Sequence, residues 1–207
     1  MTVFYLIRHG HNDYVSKGKL AGRLKGVHLS ERGRTQAEAL AKNLSQIKFT
    51  AVYASPLDRT IETAEPIAAA QGLSVIKRSG LIEIGYGNWQ GQSLKSLRRR
   101  KLWPIIKNTP SLARFPEGES FLEAQARVVS ELEDLRSKHG TPKAKVACVF
   151  HSDPIKLVLT HFAGIPLDLY QRLIIEPASV SILLIDNNHV RILGINDTTA
   201  TNRASSG

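Results

Sequence analysis

Cysteine, aromatic residues and long apolar runs are all scarce in this sequence. Its 207 residues include one cysteine, so neither an internal disulfide nor a cysteine metal cluster can form. Aromatic residues make up 6% of the chain, which gives little support to base stacking and hence to nucleic-acid binding. The apolar stretch at residues 3–7 is far shorter than a signal-peptide core or a membrane span. We therefore expect a cytoplasmic protein without a membrane partner, in which Cys148 is a small buried hydrophobe.

Acidic residues are scarce relative to basic ones. The chain has 28 Lys and Arg against 18 Asp and Glu, a formal net charge of +10. This excess favours an anionic partner such as a phosphate ester. Much of it lies between residues 92 and 115, where basic residues occur and acidic ones do not. The basic run at 95–101 has two open interpretations, a solvated helix face or an electrostatic funnel that attracts an anionic substrate.

The length and composition fit one globular domain. A chain of 207 residues with 42% hydrophobic residues can bury one substantial core and is short for two. We place this domain at residues 1–195, with a basic helical insertion at about 92–118 that prolines keep from forming one long helix. Residues 196–207 are small and polar, and they predict a disordered tail. The oligomeric state stays open, with a homodimer as one option.

Apolar runs and helical periodicities alternate along the chain. Strands are predicted at residues 3–7, 51–54, 73–77 and 145–150, and a hairpin at 179–193 turning at Asn187-Asn188. Helices are predicted after the N-caps Ser30 and Ser55, over 120–138 after a capping box, and over 154–162. Such alternation is typical of an α/β fold, here a three-layer α/β/α sandwich with a mainly parallel, mixed central sheet.

Charged and ionisable residues follow several of these elements. They are Arg8 and His9 after the first strand, Arg59 in the first turn of a helix, Glu83 in a glycine-rich loop, and His151 after the fourth strand. Ligands of open α/β sheets bind beyond the carboxyl ends of the strands, so these side chains can converge there. Arginine donates two parallel hydrogen bonds to phosphate, and two arginines with two histidines suit a dianion. A carboxyl beside such an anion is better suited as a proton donor than as a carboxylate.

Four motifs occur in the order that one enzyme family shows. They are Arg8-His9-Gly10 after an amino-terminal strand, Arg59 within residues 55–64, Glu83 ahead of residues 87–91, and His151 after a hydrophobic strand. As a set, these motifs resemble the histidine phosphatase superfamily, the phosphoglycerate-mutase-like group. Residues 30–33, Ser-Glu-Arg-Gly, are similar to the start of that family's first helix. The resemblance spans roughly residues 3–193.

The resemblance implies a metal-independent phosphomonoesterase that acts on a small phosphorylated metabolite. His9 would attack phosphorus and become a phosphohistidine, while Arg8, Arg59 and His151 would bind the phosphate oxygens. Glu83 would protonate the leaving alcohol and then help a water molecule attack the phosphoenzyme. The family's chemistry needs neither a metal nor a cofactor, since arginines supply the positive charge.

Three positions depart from the family's pattern. His11 and Val15 stand where mutases of the family usually carry an acidic residue and an asparagine, and Asp153 stands where a small residue is usual. We therefore favour a phosphatase over the alternative of a phosphoglycerate mutase. A non-catalytic protein that binds a phosphate ligand or nucleic acid on the same scaffold is the third hypothesis. The contributions of His11, Asn12 and Asp153 stay open, although Asp153 could cap the helix that follows.

Overall fold

The computed structural model describes residues 1–139, 144–186 and 189–199. Its strands are β1 Thr2–Arg8, β2 Ala51–Ala54, β3 Val75–Lys77, β4 Ala144–Phe150, β5 Val180–Ile185 and β6 Val190–Asp197. Its α-helices are α1 Asp13–Ser16, α2 Glu31–Leu44, α3 Asp58–Ala69, α4 Leu94–Leu97, α5 Trp103–Asn108, α6 Phe121–Lys138 and α7 Ser152–Ala163. Single turns of 3-10 helix occur at Ser79–Leu81, Gly87–Trp89 and Pro110–Leu112, and a longer one at Leu167–Arg172.

The six strands form one sheet in the order β3-β2-β4-β1-β5-β6. Strands β3, β2, β4 and β1 are parallel, whereas β5 and β6 run antiparallel to them. The central strands β1 and β4 are buried along almost their whole length, which explains their unbroken apolar runs. This arrangement confirms the predicted α/β class with a mainly parallel, mixed sheet.

Helices cover both faces of the sheet because successive strand side chains alternate between the faces. On one face, Phe4 and Leu6 of β1 and Cys148 of β4 belong to a core that includes α6 and α7. On the other face, Tyr5 and Ile7 pack in a second core with α2 and α3. None of the helices in the described ranges is long and apolar enough to cross a membrane.

The predicted helix caps are confirmed at two places and wrong at a third. The Ser30 hydroxyl accepts a hydrogen bond from the Gly33 amide at the start of α2, and Ser120 and Glu123 form a capping box at the start of α6. Ser55 does not cap α3, which begins at Asp58 after Leu57. The ladder of β2 continues through Ser55, whose amide donates to the Val149 carbonyl at 3.0 Å. The Ser55 hydroxyl therefore does not cap α3 and can bind a residue elsewhere in the fold.

The basic segment contains two short helices, α4 and α5, rather than one long one. Its exposed arginines 98–100 lie in the turns between these helices, and among the basic residues of the run only Lys95 lies on a helix, α4. Trp89 is buried and stacks on Trp103 with ring centroids 6.4 Å apart, as expected of packing anchors. Strand β6 continues through Asp197, so a tail beginning at 196 is wrong there: Asp197 pairs with Val180, and the Asn196 amide donates to Ser181 Oγ at 3.1 Å. The predicted turn at 187–188 and residues 200–207 lie outside the described residues.

Candidate active site

The two histidines meet at the carboxyl edge of the sheet because β1 and β4 are parallel neighbours in register. Arg8 pairs with Phe150, so the next residues, His9 and His151, leave the sheet side by side. Their ring centroids lie 5.3 Å apart with an interplanar angle of 65°. His151 is fully buried and His9 is 5% exposed. Residues far apart in sequence thus form one site.

His9 presents an unprotonated Nε2 to this site. Its Nδ1 lies 2.8 Å from the Gly10 carbonyl oxygen, and since a carbonyl can only accept, Nδ1 carries the proton. Burial, followed by the charges of Arg59 and Arg8, holds the pKa of His9 well below its usual value. The imidazole is therefore neutral at physiological pH, with a lone pair on Nε2.

Gly10 fixes the turn that carries His9. Its amide donates to Thr63 Oγ1 at 3.0 Å, and a Cβ at this position would lie 2.7 Å from the Gly33 carbonyl oxygen. The close approach of two backbones explains why glycine follows the histidine.

Arg59 links the two imidazoles. Its Nε donates to His9 Nε2 at 3.2 Å, and its Nη2 donates to His151 Nδ1 at 3.3 Å and to the Gly22 carbonyl at 2.7 Å. The side chain is 1% exposed, and Nη1 has no hydrogen-bond partner among the described residues. Arg59 thus keeps a buried donor for an acceptor in the site.

Arg8 adds a second buried donor of this kind. Its Nη1 donates to the Ile175 carbonyl at 2.6 Å, while its buried Nε finds no partner in the described part of the chain. Burial lowers the pKa of both Arg8 and Arg59, but a guanidinium starts so high that both stay charged. Two unmatched cationic donors beside a neutral imidazole suit an oxyanion with several acceptor oxygens.

His151 is held neutral between three partners. Because Arg59 Nη2 donates to its Nδ1, the ring proton lies on Nε2, which donates to Ser55 Oγ at 2.8 Å. Burial and the neighbouring Arg59 and His9 lower the pKa of His151 well below its usual value. Ser55 was missed as a site residue, although its place directly after β2 is the signal that identified His9 and His151.

Glu83 brings a carboxyl to the imidazoles. Its Oε2 lies 3.9 Å from His151 Nδ1, and its Oε1 accepts the Ile84 amide at 2.9 Å. The residue is 9% exposed. Burial, assisted by the charge of Asp153, raises the pKa of Glu83 to about 7. A carboxyl with that pKa can both donate and accept a proton near neutral pH.

Arg8, His9, Arg59 and Glu83 line a cavity of ≈ 160 Å³, whose wall also includes Asn12, Tyr86, Ser152 and Asp153 but not His151. Asp153 lies in the first turn of α7, and its carboxylate accepts the Tyr86 hydroxyl at 2.8 Å. Asn12 caps α1 with its side chain and also borders the cavity. His11 is bound to the Ser30 hydroxyl at 2.8 Å, at the start of α2. In the described residues, no three His, Cys, Asp or Glu side chains are grouped to hold a metal ion.

The model of one protein family, the histidine phosphatase superfamily (branch 1), matches residues 4–198. The chain belongs to the histidine phosphatase superfamily. The match confirms the resemblance and the predicted fold class, and it confirms the prediction of a histidine phosphatase enzyme.

Individual relatives and a solved structure resemble the chain along nearly its whole length. Phosphoserine phosphatase 1 of Hydrogenobacter thermophilus is 32% identical over 96% of this chain and 93% of its own. A 2,3-bisphosphoglycerate-dependent phosphoglycerate mutase of Thermoplasma acidophilum is 30% identical over 94% of this chain and 92% of its own. The structure of Bacillus stearothermophilus YhfR superposes with a TM-score of 0.90 at 25% identity, covering 97% of this chain and 100% of YhfR.

Proposed function

We propose that the protein is a phosphomonoesterase that works through a phosphohistidine at His9. The observation that carries the proposal is the pair of buried, unmatched guanidinium donors, Arg8 Nε and Arg59 Nη1, beside the neutral His9 imidazole. A phosphate group supplies acceptors for both donors and places phosphorus next to Nε2. The positive charge that phosphoryl transfer requires is then present in the protein itself.

The first half-reaction forms the phosphoenzyme. His9 Nε2 attacks phosphorus in line as the P–O bond to the leaving group breaks, and Glu83 gives its proton to the departing oxygen. Arg8 and Arg59 donate to the remaining oxygens, and His151 joins them through Nδ1 once that nitrogen takes up a proton and gives up its contact with Arg59 Nη2. In the second half-reaction, water attacks phosphorus, ionised Glu83 takes the proton of that water, and the P–N bond breaks. Inorganic phosphate leaves, and His9 and Glu83 return to their starting states.

Hydrolysis of an aryl phosphate in the presence of a chelator tests this proposal. A protein that releases no phosphate from any ester under those conditions would contradict it. A phosphoglycerate mutase is the second candidate, since one 30% identical relative carries that name. His11 and Val15 argue against it. A coupled assay that detects transfer between phosphoglycerate positions separates the two.

The pKa of Glu83 predicts the pH dependence of the reaction. Protonated Glu83 is the acid, so kcat/KM for an alkyl phosphate is expected to be level below the pKa of about 7 and to fall tenfold per pH unit above it. Glu83→Gln should lose the alkaline limb and about 10²- to 10⁴-fold in rate. Because burial raises this pKa above its unfolded value, the stability that Glu83 contributes at low pH is lost as pH rises through 7.

Thermal unfolding of wild type and Glu83→Gln at pH 5 and pH 8 provides an independent measurement. From pH 5 to pH 8, the stability of Glu83→Gln relative to wild type should increase, since only wild type must bury a carboxylate at pH 8. An unchanged difference between the two pH values would show that Glu83 does not titrate in this range.

The cavity wall indicates which leaving group the enzyme accepts. Among the described residues that line the cavity, Lys19 is the one cation besides Arg8 and Arg59. With the arginines engaged on phosphate, we infer that Lys19 binds a carboxylate on the leaving group. Asp153 also lines the cavity, and its carboxylate, which binds the Tyr86 hydroxyl and lies 3.5 Å from Lys156 Nζ, adds negative charge that suits an amino group. A phosphorylated hydroxy acid or amino acid is thus the favoured substrate class, as the name of the phosphoserine phosphatase relative also suggests.

Lys19→Met is expected to lower kcat/KM for phosphoserine about tenfold and to leave p-nitrophenyl phosphate within about twofold, because a charge-assisted contact contributes roughly 1.5 kcal/mol. Lys17→Met is the matched control, since Lys17 is exposed and pairs with Asp13 at 3.4 Å. Steady-state kinetics on both substrates provide the measurement. Equal losses on both would assign Lys19 to phosphate binding instead.

The cytoplasmic location and the preference for a small-molecule ester over nucleic acid belong to the same proposal. They are supported by a single cysteine, Cys148, which is buried, and by a cavity too small for a polynucleotide.

A further inference from the structure

We infer that Arg23, Glu119 and Arg127 form a clamp that positions Glu83 for proton transfer. These three residues are called the Glu83 clamp below. The inference rests on the proposed function, since it concerns the acid of that reaction. None of the three residues supplies a phosphate ligand in the proposed reaction; each acts on Glu83 through the backbone of its loop.

Arg127 of α6 holds the chain that leads to Glu83. Its Nη1 donates to the carbonyl oxygens of Gly80 at 2.8 Å and Ile82 at 2.9 Å, and its Nη2 lies 3.4 Å from the Glu83 carbonyl oxygen. One guanidinium thus spans three carbonyls within four residues. This contact is possible only for arginine, whose planar fork presents several donors in fixed directions.

Arg23 holds the same carbonyl from a different segment. Its Nε donates to the Glu83 carbonyl oxygen at 2.8 Å. The preceding residue, Gly22, accepts a hydrogen bond from Arg59 Nη2 at 2.7 Å. The segment that contacts Glu83 is therefore also bound to the guanidinium that lies between the two imidazoles. Glu83 and Arg59 are therefore both hydrogen-bonded to the same short segment, Gly22–Arg23.

Glu119 joins the two arginines. It accepts two parallel hydrogen bonds of 3.0 Å from Arg127 and lies 2.8 Å from Arg23 Nη2. Its Oε2 also accepts the Gly85 amide at 2.9 Å, and its own amide donates to the Gly85 carbonyl at 2.8 Å. Burial alone would raise the pKa of Glu119, but the hydrogen bonds from Arg127 and Gly85 hold it below its usual value. Glu119 therefore stays ionised and keeps both guanidinium groups in place.

The Glu83 loop is anchored in the core by Ile84, Tyr86 and Trp89, but its backbone lies outside the sheet and depends on these contacts. It contains Gly85 and Gly87 and no regular element longer than a turn. It touches the Glu119 loop directly: a Cβ on Gly118 would lie 2.1 Å from the Gly85 carbonyl oxygen. The Glu83 carboxyl is itself tied to the backbone by the Ile84 amide. A shift of this backbone would therefore move the acidic proton, and a displacement of about 1 Å can cost about 10² in rate.

The leaving group distinguishes a positioning role from a merely structural one. An alkoxide must be protonated as it leaves, whereas p-nitrophenolate is stable without a proton, so only alkyl phosphates depend on Glu83 in the first half-reaction. kcat/KM reports that half-reaction. Arg127→Met and Arg23→Met are each expected to lower kcat/KM for an alkyl phosphate about 30- to 100-fold. For p-nitrophenyl phosphate we expect kcat/KM to fall less than about threefold, because in-line attack by His9 is unchanged.

Arg78→Met is the matched control. Arg78 is another partly buried arginine that contacts α6, through Glu131 and Asp134, but it bonds to no residue of the Glu83 loop through its side chain. Arg78→Met should leave unchanged the ratio of kcat/KM for the alkyl phosphate to kcat/KM for p-nitrophenyl phosphate. Arg127→Lys, which keeps the charge and loses the fork, should recover only part of the alkyl phosphate activity.

A double-mutant cycle completes the test. In a Glu83→Ala background, Arg127→Met should change alkyl phosphate hydrolysis less than about threefold, because the group that the clamp positions is gone. Equal losses on both substrates, or an undiminished effect in the Glu83→Ala background, would overturn the inference. If Arg127→Met does not fold, Arg23→Met decides, since the Arg23 side chain is 32% exposed. A wild-type protein inactive on both esters would instead remove the proposed function.

Discussion

His9→Ala is expected to lose at least about 10⁴-fold in phosphate release and to form no phosphoenzyme. The reason is that Nε2 of His9 is the nucleophile: the proton on Nδ1 leaves Nε2 unprotonated, and Nε2 accepts only the 3.2 Å hydrogen bond from Arg59 Nε. His151 cannot replace it, because it is fully buried, does not line the cavity, and has its Nε2 proton bound to Ser55. Direct attack by water would have to cross the full barrier in one step.

The measurement combines rapid quenching with chemical characterisation of the trapped protein. Wild type incubated with a labelled phosphate ester in chelator should yield a phosphorylated species that is stable in alkali and labile in acid, as a phosphoramidate is. His161→Ala is the matched control, since His161 is an exposed residue near the end of α7 and away from the cavity. Label retained on His9→Ala, or turnover within tenfold of wild type, would rule out this nucleophile.

Arg59→Met is expected to lower kcat/KM for any phosphate ester about 10³-fold, as the loss of a preorganised donor in a dry site does. Arg59→Lys should restore little, because one ammonium cannot reach Gly22, His9 and His151 while also meeting a phosphate oxygen. Substitution by Met should change the stability of the free protein little, because relief of the buried charge opposes the loss of the hydrogen bonds to Gly22, His9 and His151. Arg59 is 1% exposed, and Glu83, the carboxyl that most raises its pKa, is partly protonated at neutral pH, so removing the charge relieves a desolvation cost.

Thermal unfolding with and without inorganic phosphate measures both the stability of the free protein and its binding of phosphate. Phosphate should raise the midpoint of wild type by binding the folded state and should leave that of Arg59→Met almost unchanged. Arg34→Met serves as the control, since Arg34 is exposed and its Nε lies 3.7 Å from Glu31 on α2. A phosphate-dependent shift in Arg59→Met equal to that of wild type would show that the anion binds elsewhere.

The parts of the site that sequence predicts are those attached to strand ends. His9 and His151 follow apolar runs, and once these runs are strands β1 and β4 in one parallel pair, the histidines must meet. Arg59 was identified at the start of a helix. Glu83 lies in an irregular loop, where no periodicity locates a side chain, so its place came from the family resemblance.

The remaining contacts could not be predicted, because they join side chains to partners that leave no pattern in the sequence. Ser55 before Pro56 has the signature of a helix cap, yet its hydroxyl meets His151. Asp153 in the first turn of α7 also suits a cap, yet it binds Tyr86. The arginines of the Glu83 clamp bind backbone carbonyls, which every residue has. Such contacts depend on the path of the chain and become visible only in three dimensions.

The position of strand β1 has a consequence for synthesis of the protein. Both of its neighbours come late in the chain, since β4 begins at Ala144 and β5 at Val180. While the ribosome makes the intervening residues, an apolar strand with two unpaired edges has to wait for its partners, and such a strand is prone to aggregate. The nascent polypeptide therefore depends on α2, α3 or a chaperone to shield β1. Enzyme activity can appear only after the last strands have been released.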